Sequence, residues 1–392
     1  MKTLVIAPQP FFSPRGTPFS VYYRTMISSE LGAKMDFLTY GQGQDVVIPG
    51  VRFFRTPSFA FLGAIKIGPS MLKLFHDIFI FFRMLELLLR NKYDCVHAHE
   101  EAVFPAVLLK PIFRFKLIYD MHSSLPQQLT NFNFTELKLL IKLFTWLENK
   151  SLAASDAVIT ICPDLYNYVE SVFPGNDKNF LIENSIFDPV HLAADPAAQD
   201  GAEKLPVAIP DSFVHRVVYA GTLESYQGID VLIQSVAHVV QINKEVGFII
   251  VGGTEEQVAQ YREMAASCGV SQYVIFTERV AQAIARAYSE QASVLVSPRS
   301  SGTNTPLKIY EQLDSGIPLV ATSIYSHTQI LNKDVAFMVR LDPEDMADGI
   351  IQAIAEGGEG RRRAKNAKAL YAEQYSRKAY ISKLRNALER VS

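Results

Sequence analysis

Cysteine is scarce in this chain: three residues, Cys95, Cys162 and Cys268, far apart and odd in number. They form neither a disulfide framework nor a metal-ligand cluster, which points to a reducing compartment. An excess of one charge is also missing. The formal net charge of -2 gives none of the basic surplus expected of a nucleic-acid binder. No uncharged apolar run reaches the about 18 residues that suggest a membrane-spanning helix. The start MKTLVIAPQP has too short an apolar run, and no small-residue cleavage site, for a signal peptide. These absences lead us to expect a cytoplasmic protein, with association at the inner face of a membrane left open. Solenoid periods, a Walker loop and the dinucleotide fingerprint are absent as well.

What is present is an alternation of apolar runs and helical patterns over 392 residues, long enough for two domains. With 48% hydrophobic and 20% charged residues, the composition suits a folded globular protein. TLVIA, KMDFLTY, CVHAH, KLIYD, AVITI and NFLIE read as strands of a first parallel sheet, with helices over 19–31, 70–90 and 136–154. Residues 188–212, rich in proline, alanine and small polar residues, read as a linker. A second series follows: RVVYAG, GFIIVGG, YVIFT, ASVLVS and PLVAT, with helices from Ile229 and Glu255. AEGGEGRRRAKNAK reads as turn-rich, before a helix over about 375–388. The fold class is thus α/β, two doubly wound Rossmann-like domains facing across a cleft. The expected domains are 1–187 and 213–374, joined by the linker 188–212. Residues 375–392 are expected to pack back on the first.

Ligands of open parallel sheets bind beyond the carboxyl ends of the strands, so the turns there matter most. VLVSPRSSGTNTPLKIYEQLDSGIPLVAT reads as strand, turn, helix and strand, with Thr305 as N-cap, Pro306 at the first helical position and Gly316 as the stop. Its helix start offers free amides and the positive end of the dipole to an anion. Arg299 and Lys308 add charge, and no acidic residue lies between Arg299 and Tyr310. A phosphate or diphosphate fits this turn; the plainer reading is an ordinary strand-to-helix connection. Glu311 either accepts from a diol such as a ribose or is a solvated surface glutamate. Two further glycine turns, YAGTLESYQGID with Gly221 and Gly228, and IVGGTEEQ with Gly252 and Gly253, let backbone amides approach a ligand. Three such turns in one domain suggest a site of nucleotide size.

VHAHE, YDMHSSLP, SDAVITICPDL, IENSIFDP, VVYAGTLESYQGIDVLI, FIIVGG and PLKIYEQLDSGIPLVAT, in this order, resemble family 4 of the retaining glycosyltransferases. The resemblance spans nearly the whole chain and implies the GT-B fold, with an acceptor bound by residues 1–187 and a nucleotide sugar bound by residues 213–374. It also implies a UDP- or GDP-linked sugar as donor substrate, with no cofactor. By this resemblance the donor is held by Gly16, Gly221, Thr222, Gln227, Gly252, Arg279 and Glu311, and by Gly302, Thr303, Asn304, Thr305, Pro306 and Leu307. His122 matches a histidine that reaches the donor sugar, and its place after a strand predicts exposure. Three departures stand out. The first of two glutamates eight apart is Thr303, the turn's usual arginine and lysine are Thr222 and Gln227, and a glycine pair reads Gly16–Thr17. Either the site is degenerate or its charges have moved to Arg299 and Lys308.

In a retaining transfer the chief task is to stabilise charge growing on the leaving phosphate. Arg299, Lys308 and the amides from Asn304 to Lys308 suit it, and the family mechanism lets that phosphate take the acceptor's proton. His97 and His99 compete with His122, but read more simply as strand-end histidines satisfied by backbone. No third ligand stands out beside them and no Asp-x-Asp pair exists, so metal-independent chemistry is expected. The stretch 58–90 is apolar, aromatic and mostly basic in its charges. It is either an interfacial helix leading to a lipid-linked acceptor or a core helix with one wet edge, and 108–116 could extend the surface. The product class expected is a cell-surface polysaccharide or glycolipid. The rivals are a non-catalytic partner subunit that binds the nucleotide sugar, and a nucleotide-sugar epimerase.

Overall fold

The computed structural model describes residues 1–13, 16–59, 63, 65, 70–126, 138–184, 190 and 205–392. The chain divides into two compact units, Met1–Gln199 with Arg377–Ser392, and Asp200–Ser376. Much of the expected linker lies outside the described residues.

The first unit holds seven strands: β1 (Lys2–Ala7), β2 (Lys34–Thr39), β3 (Val51–Arg55), β4 (Cys95–His99), β5 (Lys116–Met121), β6 (Ala157–Thr160) and β7 (Asn179–Leu181). Their order across the sheet is β3-β2-β1-β4-β5-β6-β7, all parallel. Runs such as Leu4–Ala7 and Leu117–Met121 are buried throughout, because helices cover both faces of such a sheet. The strand order reverses between β1 and β4, whose register pairs Val5 with His97. The last helix, Arg377–Glu389, buries Tyr380, Leu384 and Ala387 against Ile27, Ile118 and Ile159 of this unit.

The second unit has six strands: β8 (His215–Ala220), β9 (Val246–Val251), β10 (Val274–Phe276), β11 (Val294–Ser297), β12 (Leu319–Thr322) and β13 (Phe337–Val339). The order β10-β9-β8-β11-β12-β13 reverses between β8 and β11. Its helices include Ile229–Ile242, Glu255–Ser267, Leu307–Asp314 and Glu359–Gln374.

The sequence reading passes over two strands, β3 and β13, and two of its local expectations are corrected. β3, VRFFR, is a strand although arginines interrupt its apolar run; Arg52 reaches out to the Asp36 carboxylate at 2.7 Å. Residues 359–374 are helical rather than turn-rich, since the alanines and arginines that follow Gly358 are strong helix formers. The helix after β11 begins at Leu307 with Pro306 as its cap position and no side-chain cap. The Thr305 hydroxyl is instead buried without a hydrogen-bond partner.

Candidate functional site

In the second unit the turns after β8 and β11 flank the point where strand order reverses, where ligands of such sheets bind. They are fastened together. Ser300 N donates to Tyr226 O at 2.9 Å, and Gly228, at φ 69, lies so close to Pro298 that a Cβ would overlap its carbonyl. A side chain there would force the turns apart.

Two cations converge on this junction. Lys308, in the first turn of its helix, sends Nζ back over the Tyr219 ring, 4.0 Å from its centroid. The same Nζ donates to Gln227 Oε1 at 3.4 Å, while Gln227 Nε2 donates to Thr222 Oγ1 at 3.3 Å. Lys308 therefore delivers its charge to the two positions, 222 and 227, that lack cations of their own. The Arg299 guanidinium lies 5.2 Å from the Tyr226 ring, and its Nε donates to Ser301 O at 2.6 Å. It folds across Gly302, at φ 128, where a Cβ would collide with it.

No carboxylate balances either cation among the described residues. Burial, then the neighbouring Arg299, pushes the Lys308 ammonium down to about 7, and burial also lowers Arg299. Lys308 is nevertheless half-buried and retains an opening to solvent. Two crowded cations without a counter-charge would be relieved by an anion beside them.

The remaining predicted donor residues of this unit lie around that junction. Gly221 directly follows β8, and a Cβ there would stand 3.6 Å from Lys308 Nζ. Thr303 is exposed, Asn304, Thr305, Pro306 and Leu307 are half-buried, and Glu311 is exposed on the second turn of the helix. Gly252 donates its amide to Glu278 O at 2.9 Å, next to the exposed Arg279. Residues absent from the sequence reading are Tyr219 and Tyr226, which carry the cations, and Thr322, His327 and Gln329, which hold the turn. Tyr226 could have been found from its place in the glycine turn; His327 carried no local signal.

The first unit places its histidines differently. His97 within β4, His99 at its end and His122 just beyond β5 surround Asp120, and all are buried. Arg24 Nη1 donates to both Asp120 oxygens at 2.8 Å, and its Nε donates to Tyr380 Oη at 3.0 Å. His97 Nε2 lies 2.9 Å from Asp120 Oδ2, and His122 Nε2 lies 3.2 Å from Oδ1 and 3.1 Å from His99 Nδ1. Burial would raise the Asp120 carboxyl, but Arg24 and then His99 hold it well below its usual range. Burial pushes His99 well below its ordinary value.

This corrects the expected exposure of His122, which is 2% exposed. It also corrects the reading of His97 and His99 as backbone-satisfied, since Asp120 and His122 are their partners. Asp120 is the third potential metal ligand the sequence did not reveal, with ligand atoms of His97, His99 and Asp120 within 4.8 Å of one another. The set fits a metal ion poorly, because Arg24 already occupies both carboxylate oxygens with a positive charge. Gly16 is exposed at the start of the helix Gly16–Glu30.

Residues 42–186 match the family model described as Glycosyltransferase Family 4, and residues 214–356 match the one described as Glycosyl transferases group 1. The chain belongs to the family 4 glycosyltransferases. Solved structures agree with its GT-B fold. Sucrose-phosphate synthase from Thermosynechococcus elongatus is 17% identical with a TM-score of 0.74, covering 100% of this chain and 98% of its own. Anabaena HepE in complex with UDP is 14% identical with a TM-score of 0.72, covering 99% and 100%. HepE in complex with UDP-glucose gives 15% and 0.69, covering 99% of each chain. No curated protein sequence matches the chain. At these identities the neighbours establish the fold of this glycosyltransferase and leave its donor and acceptor to its own residues.

Proposed function

We propose that the protein transfers a sugar, with retention of configuration and without a metal, from a nucleoside-diphosphate sugar to a glycan or lipid-linked acceptor. The observation that carries this reading is the pair Lys308 and Arg299, held at the β8–β11 junction with no carboxylate among the described residues to balance them. A diphosphate would supply the missing charge, and charge growing on it as the sugar departs would be stabilised by the same two groups. Side-chain cations can fill the role of a divalent ion, and the turn between Arg299 and Tyr310 offers no acid to bind one. Glu311 is exposed about one turn from the loop and would accept from the ribose diol; Gly252 and Arg279 would flank the base. The complexes of HepE with UDP and UDP-glucose make a UDP-linked donor the first to try.

His122 retains, within this proposal, the catalytic role its motif implies. His122→Asn should slow transfer while nucleotide affinity stays within about twofold. A lipid-linked acceptor in polysaccharide or glycolipid synthesis, reached at the inner face of a membrane, is supported by the helix Met71–Arg90. It leaves Met71, Ile78, Phe82 and Leu89 more than half exposed. The Leu108 and Ile112 side chains of the next helix are exposed too. Among the described residues no helix is long and apolar enough to cross a membrane, so such contact would be peripheral.

The test is a thermal-shift titration against UDP, GDP and ADP, with and without EDTA. A nucleotide at about 100 times its Kd should stabilise the protein by roughly 2.7 kcal/mol, and the shift should survive EDTA. No shift with any of the three would sink the donor reading. A second reading, a non-catalytic subunit that binds the nucleotide sugar, is favoured by Thr303 in place of a glutamate. Nucleotide binding with neither transfer nor donor hydrolysis would select it.

A further inference from the structure

Resting on the donor reading above, we infer that Thr322, His327 and Gln329 are positioning residues that clasp the phosphate turn by engaging its carbonyls. A turn that holds an anion must keep carbonyl oxygens away from it, since each is a partial negative charge. Three carbonyls of the turn are engaged by side-chain donors. Thr322 Oγ1 donates to Arg299 O at 2.5 Å, Arg299 Nε donates to Ser301 O at 2.6 Å, and Gln329 Nε2 donates to Thr303 O. Thr322 and Gln329 come from the end of β12 and from the segment after it, so the turn is fixed at both ends by a neighbouring element.

His327 locks this clasp from behind. It is fully buried, with Nδ1 2.8 Å from Thr322 O and 3.2 Å from Thr322 Oγ1, and Nε2 3.1 Å from Ser297 Oγ. One tautomer satisfies the chain of bonds. Nδ1–H donates to Thr322 O, Nε2 accepts from Ser297, and the Thr322 hydroxyl proton remains for Arg299 O. Burial first, and the nearby Lys308 and Arg299 to a lesser degree, push this imidazole down to about 4. The ring therefore stays neutral near pH 7 and adds no third positive charge behind the turn.

The experiment uses the full chain and two substitutions of Gln329. Gln329→Met keeps the length of the side chain but cannot donate; Gln329→Lys still can. For the nucleoside diphosphate that binds the wild type, Gln329→Met should raise Kd about tenfold, and Gln329→Lys should recover most of that loss. Affinity for the matching nucleoside should hardly change, and neither should unfolding of the empty protein. Equal affinities in Gln329→Met and wild type would overturn the clasp and leave the donor reading standing. Hydrogen exchange of the turn in empty protein gives an independent reading: faster exchange over 299–305 in Gln329→Met supports the clasp, and unchanged exchange overturns it. If none of UDP, GDP and ADP binds the wild type, the donor reading fails, while the exchange comparison still decides whether Gln329 holds the turn.

Discussion

The two units use the same device, a parallel sheet whose strand order reverses next to its first strand, and they fill the two reversal points in opposite ways. Near the β1–β4 point, Asp120 is surrounded by Arg24 and three histidines, and charges of both signs meet at hydrogen-bond distance. Near the β8–β11 point, Lys308 and Arg299 lean on tyrosine rings and no carboxylate among the described residues answers them. A buried network that is internally balanced holds its own fold together. A pair of cations without counter-charge is stable only at some cost, which a bound anion would remove. Burial alone therefore does not mark a place for an anion; whether the buried charges are balanced within the protein does.

If that contrast is right, the largest effect should come from the balanced cluster, and it should be one of stability. Asp120→Asn would leave Arg24 buried and uncompensated, a loss of about 3–5 kcal/mol, visible as a lower denaturant midpoint. Next in size is Lys308→Ala, where the effect should be on binding. Loss of one charge-assisted hydrogen bond, about 1.5–3 kcal/mol, would weaken nucleoside diphosphate binding about 10- to 100-fold by calorimetry. The empty protein should be no less stable. Gln227→Lys added to Lys308→Ala should restore most of the affinity, because Lys308 Nζ already stands 3.4 Å from Gln227 Oε1. An unrestored double variant would argue that Lys308 holds the helix start, not the anion.

Much of this was legible in the sequence, for identifiable reasons. Runs such as TLVIA and FIIVGG announce buried strands because parallel sheets bury both faces. The cations Arg299 and Lys308 stood out because acids are absent from the turn around them. What escaped notice depends on contacts between distant positions. Asp120 sits in an apolar strand, and only the fold brings Arg24 and His97 to it. His122 follows a strand end, as an exposed ligand-binding residue would, yet neighbouring side chains bury it. Thr305 has the residue type of an N-cap, but the helix begins one position later than that reading requires.

A third test separates the two points by pH. The Lys308 ammonium is depressed from 10.5 to about 7 in the folded protein, so between those values the unfolded chain binds more protons than the folded one. Its contribution to stability should then rise as pH increases from about 7 to about 10.5, and Lys308→Met should remove that slope. A diphosphate should reverse the depression, so binding at pH 8 should take up protons. Calorimetry in Tris and HEPES would show this as a buffer-dependent enthalpy, absent in Lys308→Met. His327, depressed from 6.5 to about 4, works on the acid side: its contribution is lost as pH falls through that interval.

The smallest expected effect belongs to Thr303, where the family's first glutamate would stand. Its side chain is exposed, and its described role in the turn is the backbone carbonyl that Gln329 engages. Thr303→Ala leaves that carbonyl in place, so nucleoside diphosphate affinity should change by less than about threefold, well below the loss in Gln329→Met. A larger loss in Thr303→Ala than in Gln329→Met would mean that the hydroxyl itself touches the donor. Charge balance would then not be the whole of this site, and a neutral hydroxyl would have taken over part of the work of the missing carboxylate.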